Sequence, residues 1–126
     1  MIKVLFAGLG GFVGSILRYL CGLLLLKYST NFPFHTLIIN FVGSFAIGFI
    51  MDYSMKISPL NSNLLLLLTV GICGGFTTFS TFSFETIHLF EKGKLILGFG
   101  YIFASLTLCL FGVLLGKNII GLMNRG

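Results

Sequence analysis

Charge is what this sequence has least of. Only 9% of its 126 residues are charged, with three acids against eight lysines and arginines. A soluble domain carries about a quarter charged residues. Against 56% hydrophobic residues and a mean hydropathy of +1.07, that class is excluded. The basic residues stand singly at the ends of apolar segments, which is an anchoring pattern and excludes a nucleic-acid-binding patch. Cysteine spacing is absent too. Cys21, Cys73 and Cys109 each sit alone in a different apolar segment, so neither a disulfide framework nor a thiolate metal site is expected. Parts for catalysis are as scarce. Glu85 is the only acid inside an apolar segment, and no histidine or cysteine is placed to activate a serine. His35 and His88 fall near segment ends and read as interfacial residues, not as ligands or bases. The chain is not expected to be an enzyme.

What remains is four apolar stretches, each reaching the roughly 20 residues that a spanning helix needs. They predict helices over residues 4–26, 34–53, 64–90 and 95–116. Four such spans with short loops use up residues 1–126, so the expectation is an all-α membrane protein with one four-helix transmembrane domain. The first stretch is too long for a signal peptide, lacks a small-x-small cleavage site and carries Arg18 inside it.

Residues 71–85, GICGGFTTFSTFSFE, stand apart within the third stretch. Paired glycines, Gly74 and Gly75, precede paired β-branched threonines, Thr77 and Thr78, a combination that weakens helix continuity. The hydroxyls of Thr77, Thr78, Ser80, Thr81 and Ser83 alternate with Phe76, Phe79, Phe82 and Phe84. Tight packing through small residues is one reading. The density of hydroxyls favours the other, a helix broken at residues 74–78, which hydrocarbon tolerates only where protein or a polar cavity satisfies the freed groups. Such a break exposes carbonyls that bind a hard cation such as sodium, while half-helix amino ends attract anions. Phe79 and Phe82, three apart, share a face, and the positive edges of aromatic rings can help to hold an anion.

The other helices each carry one small or polar stripe. Gly10, Gly14, Arg18 and Gly22 recur every four residues on the first, Asn40, Ser44 and Gly48 on the second, and Tyr101, Ser105 and Cys109 on the fourth. An intramembrane arginine is a functional-site hypothesis by default, and snorkelling to the headgroups is its alternative. Asn40 must find a partner inside the membrane, as interhelical glue or as a pore donor. Hydroxyls of Ser80, Thr81 and Ser105, with the Asn40 amide, are candidate substitutes for an ion's lost water. With an even number of spans, Lys3, Lys56, Lys117 and Arg125 face Lys27, Lys92 and Lys94 across the membrane. That balance leaves the positive-inside rule without a preference, as in a protein that inserts both ways. Homo-oligomerisation is the natural way to bury the stripes.

GGFVGSILRY (residues 10–19), TLIINFVGSF (residues 36–45) and GICGGFTTFSTFSFE resemble the three signature stretches of the Fluc (CrcB) fluoride channels. YIFASLTLC resembles the fourth-helix pattern, with Cys109 standing where a glycine is usual. The resemblance covers all four helices in order. It implies an antiparallel, dual-topology homodimer in the inner cell membrane that passively exports fluoride through two pores, with one structural sodium ion at its centre and no further protein partner. It makes the backbone carbonyls of Gly74 and Thr77 the sodium ligands. Asn40, Phe79, Ser80, Thr81, Phe82, Tyr101 and Ser105 become the fluoride path, and Arg18 a vestibule residue. A small proton-coupled multidrug exporter has the same four-helix architecture but depends on an acid in its first helix, where residues 4–26 have none.

Overall fold

The computed structural model describes residues 1–126 and is entirely helical. Helix α1 (Ile2–Leu25) runs on into a 3₁₀ turn at Leu26–Tyr28. Helix α2 (Phe34–Lys56) begins directly after Pro33, whose fixed φ suits a helix start. The next half-helix, α3, opens at Ser62–Leu66, with the Asn61 side chain accepting from Leu64 N at 2.8 Å as its N-cap. It widens into a π-helical stretch at Leu67–Cys73 and closes with one α-turn at Gly74–Phe76. Helix α4 (Phe79–Glu91) is the second half of the same span, and α5 (Leu95–Met123) is the last. Four spans of 27, 23, 30 and 29 residues are long and apolar enough to cross a membrane, so the protein is multi-pass.

The turn between α4 and α5 has a simple local cause. Gly93, at φ +73°, is the only residue with positive φ. It lets Gly93 N donate to Phe90 O and Lys94 N to Leu89 O, which satisfies the last carbonyls of α4.

Helix ends differ from expectation where side chains hold extra turns. Helix α2 continues to Lys56, whose ammonium reaches the Asp52 carboxylate one turn back at 2.6 Å. Helix α5 runs past Gly116 to Met123, so Lys117 lies within it and stands 3.9 Å from the same carboxylate.

The break also sits later than the glycines suggested. Gly74 is helical at φ −65°, ψ −38°, whereas Thr77 (−78°, 158°) and Thr78 (−150°, 110°) are extended. Gly75 does a different job, close approach between backbones, since a Cβ there would collide with the Gly11 carbonyl oxygen. A Cβ on Gly10 would collide with the Leu67 carbonyl oxygen, and one on Gly14 with that of Ile72. Helix α1 therefore lies directly against α3, while α2 and α5 form the other tight pair.

One chain buries little of itself. Only 21 of 126 residues are buried, and the apolar core is a small cluster of Leu37, Phe82, Leu89 and Tyr101. The remaining apolar surface must face lipid or another chain.

Candidate functional site at the break

Breaking a helix in hydrocarbon frees backbone groups that need partners. Asn40, on α2, supplies two of them. Its Oδ1 accepts from Thr78 N at 2.7 Å, and its Nδ2 donates to Thr78 O at 3.1 Å. Thr78 Oγ1 in turn caps α4 by accepting from Thr81 N at 3.2 Å, and donates to Thr81 Oγ1 at 3.0 Å. These bonds divert the amides that would have continued the helix. Thr78 N no longer closes on the Gly74 carbonyl, and Thr81 N no longer closes on that of Thr77. The Thr77 carbonyl instead accepts from Arg18 Nη1 at 3.2 Å. Arg18 therefore points into protein, as its shared face with Gly10 and Gly14 required, and does not snorkel freely.

The expected residues fall into two cavities with Thr78 lining both. Asn40, Gly74, Thr77, Phe79, Phe82 and Ser105 line one of about 330 Å³. Arg18 and Thr81 line the other, of about 350 Å³, with His35 and Thr36. Tyr101 is fully buried behind them and Ser80 is exposed at the start of α4. Phe82 is 9% exposed and Phe79 75%, so the two rings share a helix face but not an environment. Their centroids lie 5.5 Å apart, and Phe82 meets Tyr101 edge-on at 5.0 Å, forming a continuous run of rings.

Hydroxyls differ in what they have left to offer. Thr77 and Ser83 bond back to the carbonyls of Cys73 and Phe79 on their own chain segment. Ser105 does not. Its Oγ is buried without a hydrogen-bonding partner in the chain.

Glu85, noted in the sequence as an intramembrane acid but given no role, is a hub. Thr36 Oγ1 donates to its Oε1 at 2.7 Å, and Tyr101 OH donates to its Oε2 at 2.6 Å. The Nε2 of His35 stands 3.3 Å from Oε1. The signal was available, because an ionisable residue inside a span marks a site by default. His88 likewise has a carboxylate nearby, its Nδ1 standing 3.7 Å from Glu91. Residues far apart in sequence supply the His35 contact, so spacing could not reveal it.

Four apolar spans, one of them broken beside a largely apolar groove that holds hydroxyls, ring edges and freed carbonyls, define a polytopic membrane protein of the channel and transporter class. The family model described as CrcB-like protein, Camphor Resistance (CrcB), matches residues 5–117. The chain belongs to this family. It is 52% identical over 120 residues to a protein of Ruminiclostridium cellulolyticum named fluoride-specific ion channel FluC, covering 94% of this chain and 92% of that one. Proteins of the same name from Clostridium perfringens (45% over 120 residues, 94% of each chain) and Chlorobaculum tepidum (46% over 121 residues, 93% of this chain and 96% of that one) are similarly close.

Asn40→Ala should leave both backbone groups of Thr78 unpaired in an apolar setting. The expected loss is about 2–4 kcal/mol of stability, from two unsatisfied groups, read as a lower unfolding midpoint in detergent. Ser44→Ala, in the same cavity, serves as the control. A wild-type midpoint for Asn40→Ala would mean that the break is satisfied in another way.

Proposed function

We propose that this protein is a fluoride-selective channel and not an enzyme, passively exporting fluoride from the cytoplasm across the inner cell membrane. The observation that carries the site reading is the Ser105 hydroxyl, buried and unpaired in the wall of the cavity that Phe79 and Phe82 share. A buried hydroxyl without a partner is costly unless something passing through accepts from it. Close relatives named as fluoride channels, at up to 52% identity over nearly the whole chain, support the same ion. Fluoride is small and strongly hydrated, and leaving water uncompensated would cost on the order of tens of kcal/mol. Ring edges of Phe79 and Phe82, with donors from Asn40, Ser80, Thr81 and Ser105, replace that water, while Tyr101, whose proton goes to Glu85, backs the Phe82 ring. Arg18 holds positive charge beside the second cavity.

Phe79→Ile and Phe82→Ile keep much of the apolar bulk but remove the ring edge. In liposomes each should cut fluoride efflux by about tenfold or more, a loss of one or more kcal/mol of ion stabilisation. Ser105→Ala should act in the same direction, while Phe76→Ile and Phe84→Ile serve as controls. Equal losses at all four phenylalanines would reduce the stretch to packing.

An antiparallel homodimer of dual topology is the assembly we assign. It is supported by the balanced loop lysines and by apolar surface that a single chain leaves uncovered. Adding two lysines to the loop at residues 57–61 should bias all chains to one orientation and abolish efflux. An oppositely biased copy, co-expressed, should restore it. Conduction by a single-orientation population would sink this assembly.

Sodium is the ion implied at the dimer centre. The chain fits it in part: two carbonyls, Gly74 and Thr77, are relieved of helical partners, and a carbonyl keeps a second lone pair when one is taken, as at Thr77 by Arg18. A second copy would double the set to four oxygens, all hard donors. Exchanging sodium for a large organic cation should lower both the dimer fraction, read by cross-linking, and fluoride flux. Unchanged values after verified removal would make the break a packing device only.

A further inference from the structure

Of the partners of Glu85 that the proposed pore does not use, Thr36 and His35, only His35 can carry a charge. It is fixed at two points by Ser29, whose Oγ accepts from His35 N at 3.0 Å and lies 2.8 Å from Nδ1. Its Nε2 faces Glu85 Oε1 at 3.3 Å, and its side chain is 22% exposed in the Arg18 cavity. That geometry accommodates both protonation states without moving the ring. In the neutral state Ser29 donates to Nδ1, and Nε2 carries the proton on the side that faces Glu85. In the imidazolium both nitrogens donate, and the same hydroxyl oxygen turns a lone pair to Nδ1.

The electrostatic consequence is local. Two hydroxyls donate to the Glu85 oxygens and the His35 ring faces one of them, while Tyr101, one of the two donors, also packs edge-on against Phe82. A negative charge there opposes an anion approaching from the Arg18 cavity. An imidazolium at 3.3 Å cancels it, and leaves the Arg18 charge unopposed. The other groups facing this corner are Arg18 and Tyr19 from α1, Glu85 from α4 and Tyr101 from α5. Lys27 and Tyr28, stacked on each other, lie in the turn before Ser29. Histidine alone among these residue types ordinarily changes charge between about pH 5 and 8.

We propose that His35 is a proton-sensing residue at the mouth of the anion path, and that its protonation neutralises Glu85 and raises fluoride access as the solution acidifies. The inference rests on the channel reading above. It suits the chemistry of the substrate, since acid solution is where fluoride crosses membranes as its neutral acid and where export is most needed.

Fluoride current through the full-length protein in planar bilayers tests it, with equal pH on both sides and protein-free membranes subtracted for acid leak. Wild-type current should rise about threefold or more between about pH 8 and about pH 6. His35→Gln should stay at the alkaline level throughout. His35→Arg, permanently cationic, should stay at the acid level, and it serves alone should the glutamine variant not fold. A flat wild-type profile with intact current, or a variant that keeps the wild-type profile, overturns the role of His35. Absence of fluoride current at every pH would overturn the channel reading, and this inference with it.

Discussion

Everything near the centre of this molecule follows from one obligation, that backbone polar groups inside hydrocarbon must be paired. The third span is extended at Thr77 and Thr78, and a single asparagine from another helix answers for the worst of it. Because Asn40 takes the backbone amide of Thr78, the Gly74 carbonyl is left outside the helical ladder, and because the Thr78 hydroxyl takes Thr81 N, so is that of Thr77. The threonine hydroxyl that caps α4 completes the exchange. The break is therefore not a gap in the structure but a redistribution of hydrogen bonds, in which α2 spends an amide and α3 gains two oxygens for other use. That is also why α1 must come close: Gly10 and Gly14 let its backbone touch α3, bringing Arg18 within reach of the Thr77 carbonyl.

The three acids follow a related logic. Each has a basic or hydrogen-donating partner: Asp52 has Lys56 and Lys117, Glu91 has His88, and Glu85 has Thr36, Tyr101 and His35. Asp52 is almost fully buried and lies near one end of α2, while Thr36 and His35 lie near the other. Helix α2 thus carries compensation for the carboxylate at each of its ends. In a protein that moves an anion, an uncompensated carboxylate beside the path would be a barrier of several kcal/mol at an effective dielectric of about 20.

The architecture was legible because hydrophobic length is a blunt signal, and the four spans stand where the apolar stretches predicted them. The location of the break was legible only to within a turn. Glycine was read as a helix breaker, whereas in α3 it is selected for contact, with Gly71 set against Gly10 and Gly75 against Gly11. The β-branched pair, Thr77 and Thr78, is where the chain extends. The Arg18 face was legible from four-residue spacing, but its acceptor was not, since a carbonyl leaves no mark in sequence. Glu85 was visible as an isolated acid. Its partners come from α2 and α5, and only the fold brings them together.

The hydroxyl-rich stretch shows why counting polar side chains overstates what a groove can offer an ion. Of the five hydroxyls between Thr77 and Ser83, two donate back to the chain's own carbonyls and Thr78 is committed to the cap. Thr81 Oγ1 accepts from Thr78, so its own proton remains free. Ser80 has only a 3.4 Å contact to Thr78, and Ser105 has no partner at all. The hydroxyls with a proton to give are therefore Ser80, Thr81 and Ser105, a smaller set, with Ser105 in the Phe79–Phe82 cavity and Thr81 in the Arg18 cavity. So few hydroxyls cannot replace a full hydration shell by themselves. Ring edges must supply the rest of the positive potential, and a ring edge, unlike a hydroxyl, offers no lone pair to hold a cation. Ring edges and spare hydroxyl protons together present positive potential to an ion, which is why the alternation of phenylalanine with serine and threonine carries more meaning than either residue type alone.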